Sequence, residues 1–68
     1  MLSKMNWELY EVWAEDESGH EELVETTRSR KQAFDLAKQS LAEGYIASII
    51  YQETEEGDLE ELQRFEND

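Results

Sequence analysis

Cysteine is absent from this 68-residue chain. That excludes disulfides, thiolate nucleophiles and Cys-based zinc sites, and it fits a reducing compartment. Histidine occurs once, as His20, between Gly19 and Glu21. A lone turn histidine lacks the oriented partner and the nucleophile that catalysis requires. No apolar run approaches the roughly 18 residues a membrane helix needs. Met1–Asn6 has no apolar h-region of the signal-peptide kind, so the expected location is cytoplasmic. Basic residues are few: six Lys and Arg stand against 18 Asp and Glu, for a formal charge of −12. A field of that sign repels nucleic acid and anionic lipid and attracts basic proteins.

The length bounds the fold. A chain of this size holds one compact core and buries only about 60% of its unfolded surface. One domain over 1–68 is expected, with 1–6 and 66–68 as frayed ends. High charge raises the question of disorder. The two Trp, three Tyr and two Phe, together with the run Tyr45-Ile46-Ala47-Ser48-Ile49-Ile50-Tyr51, argue for a folded centre.

Trp7 to Ala14 is aromatic and β-branched enough to read as a strand. Its faces would be Trp7, Leu9, Glu11, Trp13 and Glu8, Tyr10, Val12, Ala14. Glu15-Asp16-Glu17-Ser18-Gly19 reads as a turn, and Glu22 to Thr27 as the returning strand. Ser29 is a good N-cap, and Gln32 three residues later completes a capping-box pattern. Ala33, Phe34, Leu36, Ala37, Ser40 and Leu41 fall on one helical face. Gly44 supplies the stop, so Arg30 to Glu43 is predicted as an amphipathic helix. Tyr45 to Gln52 is apolar on both faces, the pattern of a central strand. Glu53 to Asp58 is a second acidic turn around Gly57.

Leu59 to Phe65 fits either a helix or a strand. Strand is favoured because the two halves echo one another. Trp13 to Leu23 and Tyr51 to Leu62 each run from an aromatic through an acidic Gly turn to Glu-Glu-Leu, if one residue is inserted. The expected class is therefore α+β: a small antiparallel ββαββ sheet with one amphipathic helix on one face.

No constellation for chemistry emerges. An EF-hand loop needs Gly at position six with oxygen ligands around it and Glu at position twelve. With Gly19 at six, position one is Ala14; with Gly57 at six, position twelve is Gln63. No phosphate loop is present, and a chance pair among 14 Glu does not make a glycosidase site. No enzyme, metal or cofactor is expected. Residues 28–38 carry Arg28, Arg30, Lys31 and Lys38 against Asp35, a basic island of +3 on a remainder of −15.

One helix covers one sheet face, which leaves part of the set Trp7, Trp13, Tyr45 and Tyr51 on the other. Stacking RNA there would need a basic surround, and the surround is acidic. An aromatic patch ringed by charge suggests instead a protein partner or a second copy. The expected function is a small acidic protein-binding module whose partner is a basic protein. The turn carboxylates Glu15, Asp16, Glu17, Glu53, Glu55 and Glu56 would steer it, and in a sharper version the carboxylates from Glu15 to Glu25 and from Glu53 to Glu61 would mimic nucleic acid. The alternative is a self-assembling homodimer built through the open face or an edge strand.

Overall fold

In the computed structural model, residues 9–67 are described. Two hairpins flank a helix: β1 (Tyr10–Glu15), β2 (Glu21–Thr27), α1 (Arg30–Ala42), β3 (Ala47–Glu53) and β4 (Leu59–Glu66). The sheet order is β2-β1-β3-β4, and every neighbour is antiparallel. The α+β sheet with one helix is thus present, and 59–65 lies in a strand.

The helix begins and ends where its side chains dictate. Ser29 Oγ accepts from the Gln32 amide at 3.1 Å, which satisfies one of the orphan donors of the first turn. The reciprocal half of the capping box is rerouted. The Ser29 amide donates to Thr27 Oγ1 at 3.1 Å, and Thr27 Oγ1 donates to Gln32 Oε1 at 2.9 Å. At the far end Gly44 takes φ +111°. The Gly44 amide donates to the Leu41 carbonyl and the Tyr45 amide to the Ser40 carbonyl, a Schellman closure that a side chain at position 44 would strain. Tyr45 therefore belongs to the helix stop, and β3 begins two residues later than the apolar run suggests.

The helix packs through its small residues. Ala33, Ala37 and Ser40 are buried, and Ala33 and Ala37 sit over Tyr10, Val12 and Ile50. Phe34, Leu36, Leu62 and Phe65 close the margins, with Phe34 and Phe65 edge to face at 5.7 Å. The face of β1 under the helix is thus Tyr10, Val12, Ala14. Burial there leaves no side-chain polar atom unpaired among the described residues: Ser48 Oγ donates to the Trp13 carbonyl and Ser40 Oγ to the Leu36 carbonyl.

The two hairpins are built alike, and they correspond without the insertion that the sequence echo calls for. A constant shift of 38 residues (Trp13 to Tyr51, Gly19 to Gly57) carries every pair of β1–β2 onto a pair of β3–β4. Both turns close with the same hydrogen bonds: Asp16 with Gly19 and His20, Thr54 with Gly57 and Asp58. Both glycines have φ near +90°, at 87° and 90°, as a three-residue hairpin loop ending in a left-handed position requires. Both register shifts fall at the same place, between Val12 and Trp13 and between Ile50 and Tyr51. Val24 and Leu62 are the extra residues of the two bulges, so Leu62 corresponds to Val24 and not to Leu23. Leu62 packs against the core, whereas Val24 at the equivalent bulge is 38% exposed. Val12 and Ile50 are both equivalent by the shift and paired in register. A pseudo-twofold axis normal to the sheet therefore passes through that pair.

Removing volume at this axis should be costly. Ile50→Ala is expected to lower the unfolding free energy by about 2–5 kcal/mol, most of what so small a domain has. Urea denaturation followed by far-UV circular dichroism measures it, and a loss under about 1 kcal/mol would mean that the helix does not seal this position.

Candidate interaction face

The sheet has a second face, which α1 does not touch. Alternation along β1 sends Glu11, Trp13 and Glu15 to it, opposite Tyr10, Val12 and Ala14. The register then fixes their neighbours. Trp13 lies between Leu23 and Ile49, with Arg64 beyond; Glu11 lies between Thr26 and Tyr51, with Glu61 beyond; Glu15 lies between Glu21 and Ala47, with Glu66 beyond. Glu53 pairs with Leu59. Trp13 and Tyr51, equivalent under the pseudo-twofold, are thus diagonal neighbours on the two central strands, a spacing aromatic side chains span.

This face has an apolar centre and a charged rim. Ile49 is fully buried although no helix covers it. Trp13 and Tyr51 are half-buried, while Leu23 and Leu59 are 47% and 46% exposed. Around them the strands present six carboxylates (Glu11, Glu15, Glu21, Glu53, Glu61, Glu66) and a single cation, Arg64. The Trp13 indole Nε1–H donates to Glu11 Oε1 at 3.0 Å, which fixes the ring against its own strand. Burial raises the Tyr51 pKa above its ordinary value, and the Glu21 and Glu61 charges add to the effect.

Arg64 spans the face. Its guanidinium meets Glu66 on its own strand at 3.0 Å and Glu15 on β1 at 3.3 Å. Strands β4 and β1 are separated by β3, so the Arg64 and Glu15 side chains together bridge two strand spacings, about 10 Å. Arg64 crosses beside Ile49 and Ala47, both buried, and its aliphatic stem can cover apolar surface while the charged end stays wet.

The residues singled out in the sequence are dispersed by the fold. Trp13 and Tyr51 come together at the centre. Trp7 lies outside the described residues. Tyr45 does not join them: held in the helix stop, it donates from its hydroxyl to Glu22 Oε2 at 2.6 Å, and that hydrogen bond chiefly raises its pKa. Glu22 pairs with Ala14, on the helix side of the sheet. Glu15 and Glu53 both point to the open face, at opposite ends. Glu17 sits in one hairpin turn, Glu55 and Glu56 in the other. Because β1 and β3 are antiparallel, these turns lie at opposite ends of the sheet. Asp16 is structural. Its Oδ1 accepts from the Ser18 amide, the Ser18 hydroxyl and the His20 amide at 2.7–3.0 Å, the work Thr54 Oγ1 does in the second turn for the Glu56 and Asp58 amides. Ile49, Leu23, Leu59, Glu11, Glu66 and Arg64 are members of the face that sequence reasoning leaves out of the site. For Glu11 and Ile49 the signal is parity with Trp13 and Tyr51 along their own strands; for the others it is readable only once the strand pairing is known.

The helix presents the opposite charge. Arg30, Lys31 and Lys38 are exposed on it, with Lys31 paired to Asp35 at 3.1 Å and the Arg30 guanidinium 5.9 Å from the Phe34 ring centre. The basic island and the acidic face are on opposite sides of the sheet.

Among the described residues no three His, Cys, Asp or Glu gather in a way that would hold a metal, and no helix is long and apolar enough to cross a membrane. No family model, curated protein or solved structure matches the chain.

The Asp16 carboxyl should titrate below the ordinary aspartate range, chiefly through the Ser18 hydroxyl. With a depressed folded pKa, its stabilising contribution is present above the unfolded value and is lost as the pH falls through the folded one. Carboxyl-carbon NMR titration reads this directly. Ser18→Ala should move the Asp16 midpoint upward, and an unchanged midpoint would remove the hydroxyl as its cause.

Proposed function

We propose that this protein is a small binding module that takes a basic protein partner on the sheet face opposite α1. The observation that carries the reading is the composition of that face: Trp13, Ile49 and Tyr51 at the centre, six carboxylates and one arginine around them. A rim of one sign speeds encounter with the opposite sign and rejects the like. A tryptophan and a tyrosine at the centre are the residue types that usually carry binding energy.

The same charge argues against a face-to-face homodimer. Two copies apposed through this surface would bring six carboxylates against six, and like charges across an interface cost several kcal/mol. The edges are no more inviting. β2 carries Glu21, Glu22 and Glu25 and a bulge; β4 carries Glu60, Glu61 and Glu66 and a bulge. Charge and bulges on an edge are the features that prevent strand addition. The acidic turns stand at opposite ends, so a strip of phosphate-like charge through both would have to run over the aromatic centre. That favours a partner that meets aromatic and charge together over pure mimicry of nucleic acid.

The test compares what immobilised protein retains from a host lysate with what three variants retain. The double variant Trp13→Ala/Tyr51→Ala should lose a basic protein that the native chain holds, by about 30-fold or more, as loss of an interface anchor worth about 2 kcal/mol implies. Glu15→Gln/Glu53→Gln should hold it more weakly at low salt, and Lys38→Gln on the helix should hold it fully. Equal retention by the native chain and the aromatic double variant would overturn the reading.

A further inference from the structure

We propose that Arg64 occupies, within the chain, the site that an arginine of the partner takes on the open face, and that it competes with that partner for it. This rests on the open face being the recognition surface. The site is assembled from three strands. Ile49 forms its floor, Trp13 stands beside Ile49 in register on β1, and Glu15 closes it at the end of β1. Arg64, in register with Ile49 on the other side, lays its guanidinium against Glu15 at 3.3 Å and Glu66 at 3.0 Å. The chain's own side chain thus shows which chemistry this surface accepts: a planar cation with an apolar stem, set between two carboxylates. A guanidinium suits that setting, since its donors fan out in one plane to meet carboxylates.

The pseudo-twofold shows that the bridge is not a requirement of the fold. The equivalent of Arg64 is Thr26, and the equivalent of Glu15 is Glu53. Thr26 is too short to span two strands to Glu53, yet β1–β2 keeps the same register, bulge and turn as β3–β4. A bridge that one hairpin does without is free to open in the other. It is also exposed enough to exchange: the Arg64 side chain is 39% accessible and Glu15 20%. A surface pair of this kind contributes little to stability, so a partner's arginine can displace it at small cost while inheriting Glu15.

The experiment uses hexa-arginine peptide as the probe, titrated into the full chain at about 150 mM salt. Trp13 is followed through its assigned indole Nε1–H resonance. Arg64→Gln opens the site and should tighten binding about three- to fivefold, the factor by which a closed latch of surface-pair strength lowers apparent affinity. Arg64→Lys, which keeps a cation of similar reach, should restore most of the competition. Lys38→Gln removes the same charge from the helix, on the other side of the sheet, and should change affinity less than about 1.5-fold. Far-UV circular dichroism confirms that each variant is folded. Equal affinity of native and Arg64→Gln protein would overturn the competition while leaving the face as the binding surface. A gain matched by Lys38→Gln would overturn it too, by showing a net-charge effect. Failure of both native and Arg64→Gln chains to perturb Trp13 at any peptide concentration would overturn the competition and the binding reading together.

Discussion

The pairing of β1 with β3 is the interaction on which everything else depends. Each hairpin closes locally, through its own turn and bulge. An isolated two-stranded hairpin is marginal in water, and both of these are heavily acidic. Joining them requires Val12 to meet Ile50 across 38 residues of chain, a loop closure whose entropy has to be offset by burial. The helix supplies that burial. Its small residues Ala33 and Ala37 let it lie close over the seam, with Tyr10, Val12 and Ile50 beneath. The sheet, the core and the open face therefore depend on the same seam.

Once the seam exists, the two sides of the central strands acquire opposite characters from one alternation. Tyr10, Val12, Ser48 and Ile50 go under the helix; Glu11, Trp13, Ile49 and Tyr51 go to the other side. The aromatic residues there have no helix to cover them. Arg64, in register with Ile49, offsets part of the carboxylate field through Glu15 and Glu66. The result is a molecule with a basic helix on one side and an acidic, aromatic sheet on the other, suited to meeting a partner in one orientation.

Local signals made much of this legible. Ser29 and Gly44 mark the helix ends by capping chemistry, and Gly19 and Gly57 mark the turns by their need for positive φ. The helix stripe from Ala33 to Leu41 names its buried face. What escaped was set by pairing, which one-dimensional periodicity does not contain. Tyr45 reads as strand because its neighbours are apolar, but the Schellman closure at Gly44 takes its backbone. The repeat is visible in Glu-Glu-Leu, yet the visible match pairs Leu23 with Leu62, whereas the bulges pair Leu62 with Val24. The carboxylates and aromatics of the face were evident as residue types. Arg64 was not, because its role depends on β4 lying two strands from β1, and that follows only from the sheet order.

The central claim, that recognition uses the face opposite the helix, is tested most directly by mapping amide shifts of isotope-labelled protein with hexa-arginine. The account predicts that the largest changes fall on Glu11, Trp13, Glu15, Ile49, Tyr51 and Arg64, diminish with salt, and spare Lys31 to Gln39. Changes confined to the turns around Glu17 and Glu55, or spread evenly over the acidic surface, would contradict it.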